Sequence, residues 1–391
     1  MMEDYFSKNI YYNFIKRRPP GIEICDVTLR DGEQTPGAVF NADEKIRLAE
    51  RLDEVGVEII EAGFPVVSSV EKETIKRIAH LGLYAGICCL ARSKREDVET
   101  ALDCDVDIIS IFIATSDIHI RHKYHSKYEV VKERALDTLE YAKSHGVTVR
   151  FAAEDATRTS IPRLKDIFIA AEAHGADYVS IADTLGILTP ATTEYLVGEI
   201  RESVSKSQLC IHCHDDLGMA TANTITAAEA GVKQLHTTVN GIGERSGNAA
   251  LEEVLLALRI EHGIDKYDLS KLTSLSRLVE ECSGVKVAWN KSIVGRNAFA
   301  HESGIHVAAI LEDPTTYEAY PPELIGTERS FILGKHTGRK ALLGILQHKG
   351  YHDLSHDQLC ELVDIIKECR EKKQELNSNR IDELVKRVEK K

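Results

Sequence analysis

Two histidines one residue apart, His212 and His214, close a short apolar run that starts at Leu209, and Asp215, Asp216 and Gly218 follow at once. Side chains alternate across a strand, so residues two apart share a face and these imidazoles can address one metal ion. A third ligand has to come from elsewhere. The apolar run Ile22 to Leu29 ends in Arg30-Asp31-Gly32-Glu33-Gln34, which puts a carboxylate and a guanidinium at a second strand end. A divalent ion held by Asp31, His212 and His214 would keep open positions, as catalytic sites do, and could polarise a carbonyl. Arg30 and Arg150, the latter read at the end of a fifth strand, are forked cations suited to the carboxylate of a 2-oxo acid or to a developing oxyanion. Glu154, on the same face as Arg150, and Glu61 are acid/base candidates. A lone strand histidine is more often a packed or surface residue, and Arg30-Asp31 alone would serve as a structural ion pair. The His-Cys-His-Asp-Asp-Leu-Gly context is what favours a metal. His119, His122 and His125 read as surface residues.

These residues need a scaffold that brings several strand ends together. From about residue 22 to 261 short β-rich runs alternate with segments of helical periodicity, the pattern of a parallel sheet with crossover helices. Eight runs qualify: Ile22–Val27, Val57–Glu61, Tyr84–Leu90, Val106–Ala114, Val147–Ala153, Tyr178–Ala182, Leu209–His214 and Leu235–Val239, with Asp43–Val55 and Lys127–His145 among the amphipathic helices. Eight βα units over roughly 240 residues predict an α/β protein, a (β/α)8 TIM barrel, whose chemistry sits at the C-terminal strand ends. Those ends carry Arg30, Asp31, Glu61, Arg92, Thr115, Glu154, Thr184, His212, His214 and Asn240, while the strand starts carry nothing comparable. After Asp265 the pattern predicts helices without strands: Leu269–Cys282, a segment around Arg296–Leu311, and a charged stretch Ser355–Lys391. The expected organisation is a catalytic barrel over 15–265, a mainly helical appendage over 266–350 and a helical tail over 351–391.

Composition excludes several classes. The 391 residues are 43% hydrophobic and 28% charged with a net charge of −13, which disfavours nucleic acid and anionic membranes as partners. No apolar stretch approaches the ~20 residues that span a bilayer, and Met1 to Pro20 lacks the apolar core of a secretory signal, so a cytoplasmic protein acting on small molecules is expected. The nine cysteines include no CxxC pair and read as buried small hydrophobes.

The ordered motifs resemble a known family. Asp26-Val27-Thr28-Leu29-Arg30-Asp31-Gly32-Glu33-Gln34, Glu61-Ala62-Gly63-Phe64-Pro65, Ala153-Glu154-Asp155-Ala156-Thr157-Arg158, Ala182-Asp183-Thr184-Leu185-Gly186, His212-Cys213-His214-Asp215-Asp216-Leu217-Gly218 and Asn240-Gly241-Ile242-Gly243-Glu244-Arg245-Ser246-Gly247-Asn248 look like the 2-isopropylmalate, homocitrate and citramalate synthases, a branch of the DRE-TIM metallolyases. The resemblance implies condensation of acetyl-CoA with a 2-oxo acid, thioester hydrolysis, and a barrel homodimer with shared active sites. It implies a divalent metal (Mn, Mg, Zn or Co) on Asp31, His212 and His214 with Asn248 as a fourth contributor, and a 2-oxo acid held by Arg30, Arg150 and Thr184 with Gln34 and Glu61 nearby. Glu154 with His306 and Tyr317 would assist enolisation, the latter two entering the partner's barrel.

Departures narrow the reading. Only about 40 residues follow residue 350, too few for the regulatory domain of isopropylmalate synthases, so feedback control through it is not expected. The Arg-Cys-His signature of lysine-pathway homocitrate synthases is Arg92-Ser93-Lys94, and Ala152 replaces a serine in Arg150-Phe151-Ala152-Ala153-Glu154. The pattern most resembles short archaeal homocitrate synthases that extend 2-oxoglutarate towards the 2-oxosuberate of coenzyme B, with Arg92 or Lys94 expected at the distal carboxylate. A 2-isopropylmalate or citramalate synthase is the alternative.

Overall fold

The structure, a computed structural model, describes residues 21–335, 337–374, 376 and 378–389, together with Tyr5 and Pro19. Two compact units divide the chain, Asn13–Val287 and a second built on Ala288–Lys391. In the first, eight parallel strands form a closed barrel: β1 Glu23–Asp26, β2 Ile59–Gly63, β3 Gly86–Arg92, β4 Ile108–Ala114, β5 Thr148–Glu154, β6 Tyr178–Asp183, β7 Gln208–Cys213 and β8 Gln234–Thr237. The last strand closes on the first, Glu23 opposite Gln234 and Asp26 opposite Thr237. All strand ends fall within about two residues of their expected positions.

The strands are buried on both faces, which is why Ile108–Ala114 reads IISIFIA with almost no polar interruption. Crossover helices follow: α1 Ala42–Val55, α2 Ser69–Ala79, α3 Arg95–Leu102, α4 Asp117–His122, α5 Tyr128–Ser144, α6 Ile161–Ala173, α7 Pro190–Arg201, α8 Ala220–Ala230, α9 Leu251–His262 and α10 Leu272–Ser283. Their ends are written in the sequence. Asn41 and Glu44 form a reciprocal capping box at the start of α1, and Gly56 ends it in the left-handed conformation. The strand starts carry carboxylates in a structural role. Asp107 and Asp177 accept the Ile87 and Val149 amides at 2.8 and 2.7 Å, and Glu58 accepts that of Ile24 at 2.8 Å, tying off neighbouring strands at the barrel's lower rim.

The barrel unit also runs past residue 265, because α10 packs on α1 and on the turn after β8. In the second unit the appendage is not strand-free. Ala300–His301 (β9) and Ser330–Phe331 (β10) pair in parallel. The expected tail does not stand apart: α11 Gly304–Glu312, α12 Arg339–His348, α13 His356–Glu371 and α14 Ser378–Glu389 share one core, with Val307, Leu342, Leu362 and Val388 nearly inaccessible. An amphipathic tail helix buries its apolar stripe against whatever neighbour offers one, and here that neighbour is the appendage. Among the described residues no helix is long and apolar enough to cross a membrane.

The end of β1 holds a buried carboxyl. Asp26 is inaccessible to solvent; its Oδ1 accepts the Thr28 amide at 2.9 Å, while Oδ2 has no hydrogen-bond partner among the described residues. Burial, only partly offset by the Thr28 hydrogen bonds, pushes it up to about 7. The folded chain therefore keeps a proton that the unfolded chain releases above its ordinary value near 4, so stability falls as pH rises from about 4 to 7. Asp26→Asn removes this loss and is expected to be more stable than the parent by about 2 kcal/mol at pH 8, with a smaller gain at pH 5, read from urea midpoints.

Candidate active site

The C-terminal ends of the strands open into a cavity of about 260 Å³. On one side stand the expected metal ligands. Asp31 lies on the turn after β1, His212 on β7 and His214 just past its end, and all three are buried. His212 Nε2 is 3.2 Å and His214 Nε2 3.8 Å from Asp31 Oδ2, and the two Nε2 atoms are 3.4 Å apart. His214 Nδ1 faces the Gly247 carbonyl at 3.2 Å; a carbonyl can only accept, so the proton sits on Nδ1 and Nε2 offers its lone pair. Burial, reinforced by His212, pushes His214 down to about 4 and leaves it neutral at physiological pH. Burial opposes ionisation of Asp31, but Arg30 and the two imidazoles outweigh it and hold the carboxyl far below the usual carboxylate range. A carboxylate oxygen and imidazole nitrogens converging within 4.8 Å, with Asp31 Oδ2 lacking any well-formed hydrogen bond, fit a divalent cation. Asn248 is bridged to His214 through the backbone; its Nδ2 donates to the Ile242 carbonyl at 3.1 Å, leaving Oδ1 buried without a hydrogen-bond partner among the described residues.

Gly186 lets this corner close. Its φ is +59°, and a Cβ there would lie 2.6 Å from the Asp216 amide nitrogen and 2.8 Å from the His214 carbonyl.

Beneath the ligands lies a charged layer. Glu61 is clamped between two guanidiniums: Arg30 Nε donates to its Oε1 at 2.5 Å and Arg150 Nη2 donates to its Oε2. Burial opposes its ionisation, yet Arg30 and Arg150 together keep the carboxyl below its ordinary value. Glu61 is thus an ionised anchor rather than an acid/base group. Arg150, expected at the end of β5, is its third residue and is 1% exposed. Its other donors reach Ser110 Oγ (3.1 Å), Gln234 Oε1 (2.8 Å), His236 Nε2 (3.0 Å) and the thiols of Cys25 and Cys88. Sequence reasoning missed His236. It sits two residues after Gln234 on the inward face of β8, and that alternation was the available signal. Burial and then Arg150 push it well below its ordinary value, so it is neutral.

Gln34, Glu154 and Thr184 line the cavity as expected, joined by Leu90, Phe112 and Ala152 on the β3–β5 wall. Thr184 Oγ1 accepts the Asp155 amide at 2.8 Å. His119 is not a free surface residue: its Nδ1 is 2.9 Å from Asp155 Oδ2. Arg92 and Lys94 do not line the cavity. The Arg92 guanidinium is held by both oxygens of Asp97 at 2.6 and 3.0 Å, and Lys94 caps the start of α3. Both side chains are exposed where β3 gives way to α3. His306 and Tyr317 belong to the second unit, where their rings stack with centroids 3.9 Å apart.

Residues 21–279 match the HMGL-like family and residues 293–374 the homocitrate synthase post-HMGL domain-like family. Homocitrate synthase AksA of Methanosarcina acetivorans is 56% identical over 98% of this chain and 95% of its own length. The chain belongs to the homocitrate synthase/2-isopropylmalate synthase family. Within that family it is also similar to the 2-isopropylmalate synthase of Methanocaldococcus jannaschii, 45% identical over 95% of this chain and 72% of the longer relative. The hydroxymethylglutaryl-CoA lyase of Pseudomonas aeruginosa is similar at 24% identity with a TM-score of 0.62, covering 69% of this chain and 95% of that one, which shows the shared barrel fold.

For this member of the homocitrate synthase family, His212→Ala is expected to weaken affinity for a divalent ion by about 100-fold or more, read by competition with a chromophoric chelator, because one of three converging ligands is lost. Gly186→Ala is expected to lower stability by about 2 kcal/mol in the same preparation, since the new Cβ meets backbone rather than a movable side chain.

Proposed function

We propose that this chain condenses acetyl-CoA with a 2-oxo acid to give a homocitrate-type product and CoA, by a Claisen condensation followed by thioester hydrolysis, with 2-oxoglutarate and longer 2-oxo diacids as the acceptors. The observation that carries the reading is the Asp31/His212/His214 cluster facing Glu154 across one cavity, in a chain that belongs to a family of such synthases. A divalent ion on these ligands would supply Lewis acidity toward the 2-oxo group; Mn, Mg, Zn and Co all suit a carboxylate and two imidazoles.

The chain's own residues supply the rest. Arg30 has its Nε on Glu61, so its outer nitrogens are presented to the cavity for a substrate carboxylate and for the negative charge that develops on the 2-oxo oxygen. Thr184, whose oxygen already accepts from Asp155, keeps its hydroxyl proton for the substrate, and Gln34 offers a second neutral donor. An acetyl methyl is a very weak carbon acid, so a positioned base is needed, and Glu154 fills that role. Arg150 is saturated by protein acceptors and acts by fixing Glu61 and His236. In this reading Asn248 Oδ1 completes the metal's protein ligands. The stacked His306 and Tyr317 serve enolisation, those of one chain acting in the barrel of a second copy within a homodimer.

One observation favours an apolar acceptor instead. The wall across from the metal cluster is Leu90, Phe112 and Ala152, and neither Arg92 nor Lys94 faces it, which would suit the alkyl group of 2-oxoisovalerate or the methyl of pyruvate. The deciding experiment is thiol release from acetyl-CoA with 2-oxoglutarate, 2-oxoisovalerate and pyruvate in separate reactions, each with and without a divalent ion. A kcat/KM for 2-oxoglutarate at least about tenfold above the others is the expected result, the low end of what pocket discrimination between substrates supplies. Preference for 2-oxoisovalerate or pyruvate would overturn the acceptor assignment. Lys94→Ala is expected to leave KM for 2-oxoglutarate within about twofold of the parent, since an exposed lysine that does not line the cavity contributes little to binding.

A further inference from the structure

Glu154 ends β5 at the cavity rim with its side chain 21% exposed, and a lysine of a neighbouring segment holds it. Lys123, the residue that ends α4, places Nζ 2.8 Å from Glu154 Oε1 and 2.6 Å from Oε2, binding both oxygens at once. His119 lies one helical turn earlier on the same face, its Nε2 3.7 Å from Glu154 Oε1. The ring is not free to turn. Nδ1 is 2.9 Å from Asp155 Oδ2 and 3.0 Å from Ser116 Oγ; a carboxylate only accepts, so Nδ1 carries the proton, and Nε2, 3.7 Å from Glu154 Oε1, makes no hydrogen bond to that carboxylate. Asp155 is inaccessible to solvent, held in the left-handed region at φ 59°, and bound by Arg158 Nε at 2.9 and 3.0 Å. A non-glycine residue in that conformation persists only where its surroundings fix it, and here the fixed carboxylate aims the imidazole. Beneath Lys123 the Phe112 ring, 5.5 Å away, is part of the cavity wall.

We propose that Lys123 is a positioning residue for Glu154: bound to both oxygens, it fixes where the carboxylate points and keeps its charge matched while it waits to take a proton from the acetyl methyl. This deepens the reading above and rests on Glu154 acting in that reaction. A base on an exposed loop end would sample several rotamers, and a cation on both oxygens selects one of them. The ion pair is half exposed, so its contribution to folding is small and its effect falls on the geometry of the base.

The test compares Lys123→Met, Lys123→Arg and Glu154→Gln in the full chain with metal, measuring kcat and KM for both substrates and the effect on kcat of deuterating the acetyl methyl. Lys123→Met is expected to lower kcat about tenfold or more, to leave both KM values within about twofold, and to enlarge the deuterium effect as proton removal becomes slower than the later steps. Lys123→Arg is expected to recover most of the loss, because a guanidinium also spans two carboxylate oxygens. An unchanged kcat for Lys123→Met, a rise in the KM for acetyl-CoA alone, or an arginine variant no better than methionine would each overturn the positioning role. Glu154→Gln separates the two readings. If it stays near parental activity, the role of Glu154 itself is wrong; if it is inactive while Lys123→Met is normal, only the positioning proposal fails.

Discussion

Glu61, held ionised inside the barrel by Arg30 on one oxygen and Arg150 on the other, is the interaction on which the rest of the site depends. Three charges removed from water are tolerable only when each is paired and hydrogen-bonded, and removing one partner of such a set typically costs about 3–5 kcal/mol. The layer meets that condition closely. Arg150 spends its remaining donors on Ser110, Gln234, His236 and two thiols, and Arg30 turns from Glu61 toward Asp31, with Nη1 3.5 Å from Oδ1. Arg30 thereby connects the packed interior to the metal ligands above it.

That layering divides the labour between depths of one barrel. Below, Cys25, Val27, Ile59, Cys88 and Ile108 fill the interior with apolar volume. In the middle, the two arginines and Glu61 set a fixed field. At the top stand Asp31, His212 and His214; Arg30 keeps Asp31 ionised and burial keeps His214 neutral. Proton competition for these two groups is therefore low at neutral pH, which favours a cation in that position. Glu154 stands apart from this layer at the rim, where Lys123 binds both of its oxygens.

The family shares its barrel with hydroxymethylglutaryl-CoA lyases at low identity, and the homocitrate synthase likeness extends beyond the barrel into the second unit. A barrel with a metal at its mouth serves many reactions, so the fold alone does not choose among them. The choice rests on side chains at the strand ends: a clamped glutamate, a rim glutamate with its own lysine, and a β3–β5 wall of Leu90, Phe112 and Ala152.

The sequence by itself determined the barrel, the strand positions and the strand-end places of Asp31, His212 and His214, because each is encoded locally. Apolar runs mark strands, residues two apart share a face, and glycine with acidic side chains marks the turns that follow. It did not decide where Arg150 ends up. Its donors meet groups from β1, β2, β3, β4 and β8, and only closure of the sheet brings those together. His236 and Gln234 were hidden for the same reason, being unremarkable in a strand until an arginine from across the barrel reaches them. Arg92 reads as a site residue by its place at the end of β3, and only the fold shows that its guanidinium is engaged by Asp97, five residues on. His119 read as surface for want of a visible partner; Asp155, 36 positions away in sequence, becomes its neighbour only when β4 and β5 lie side by side.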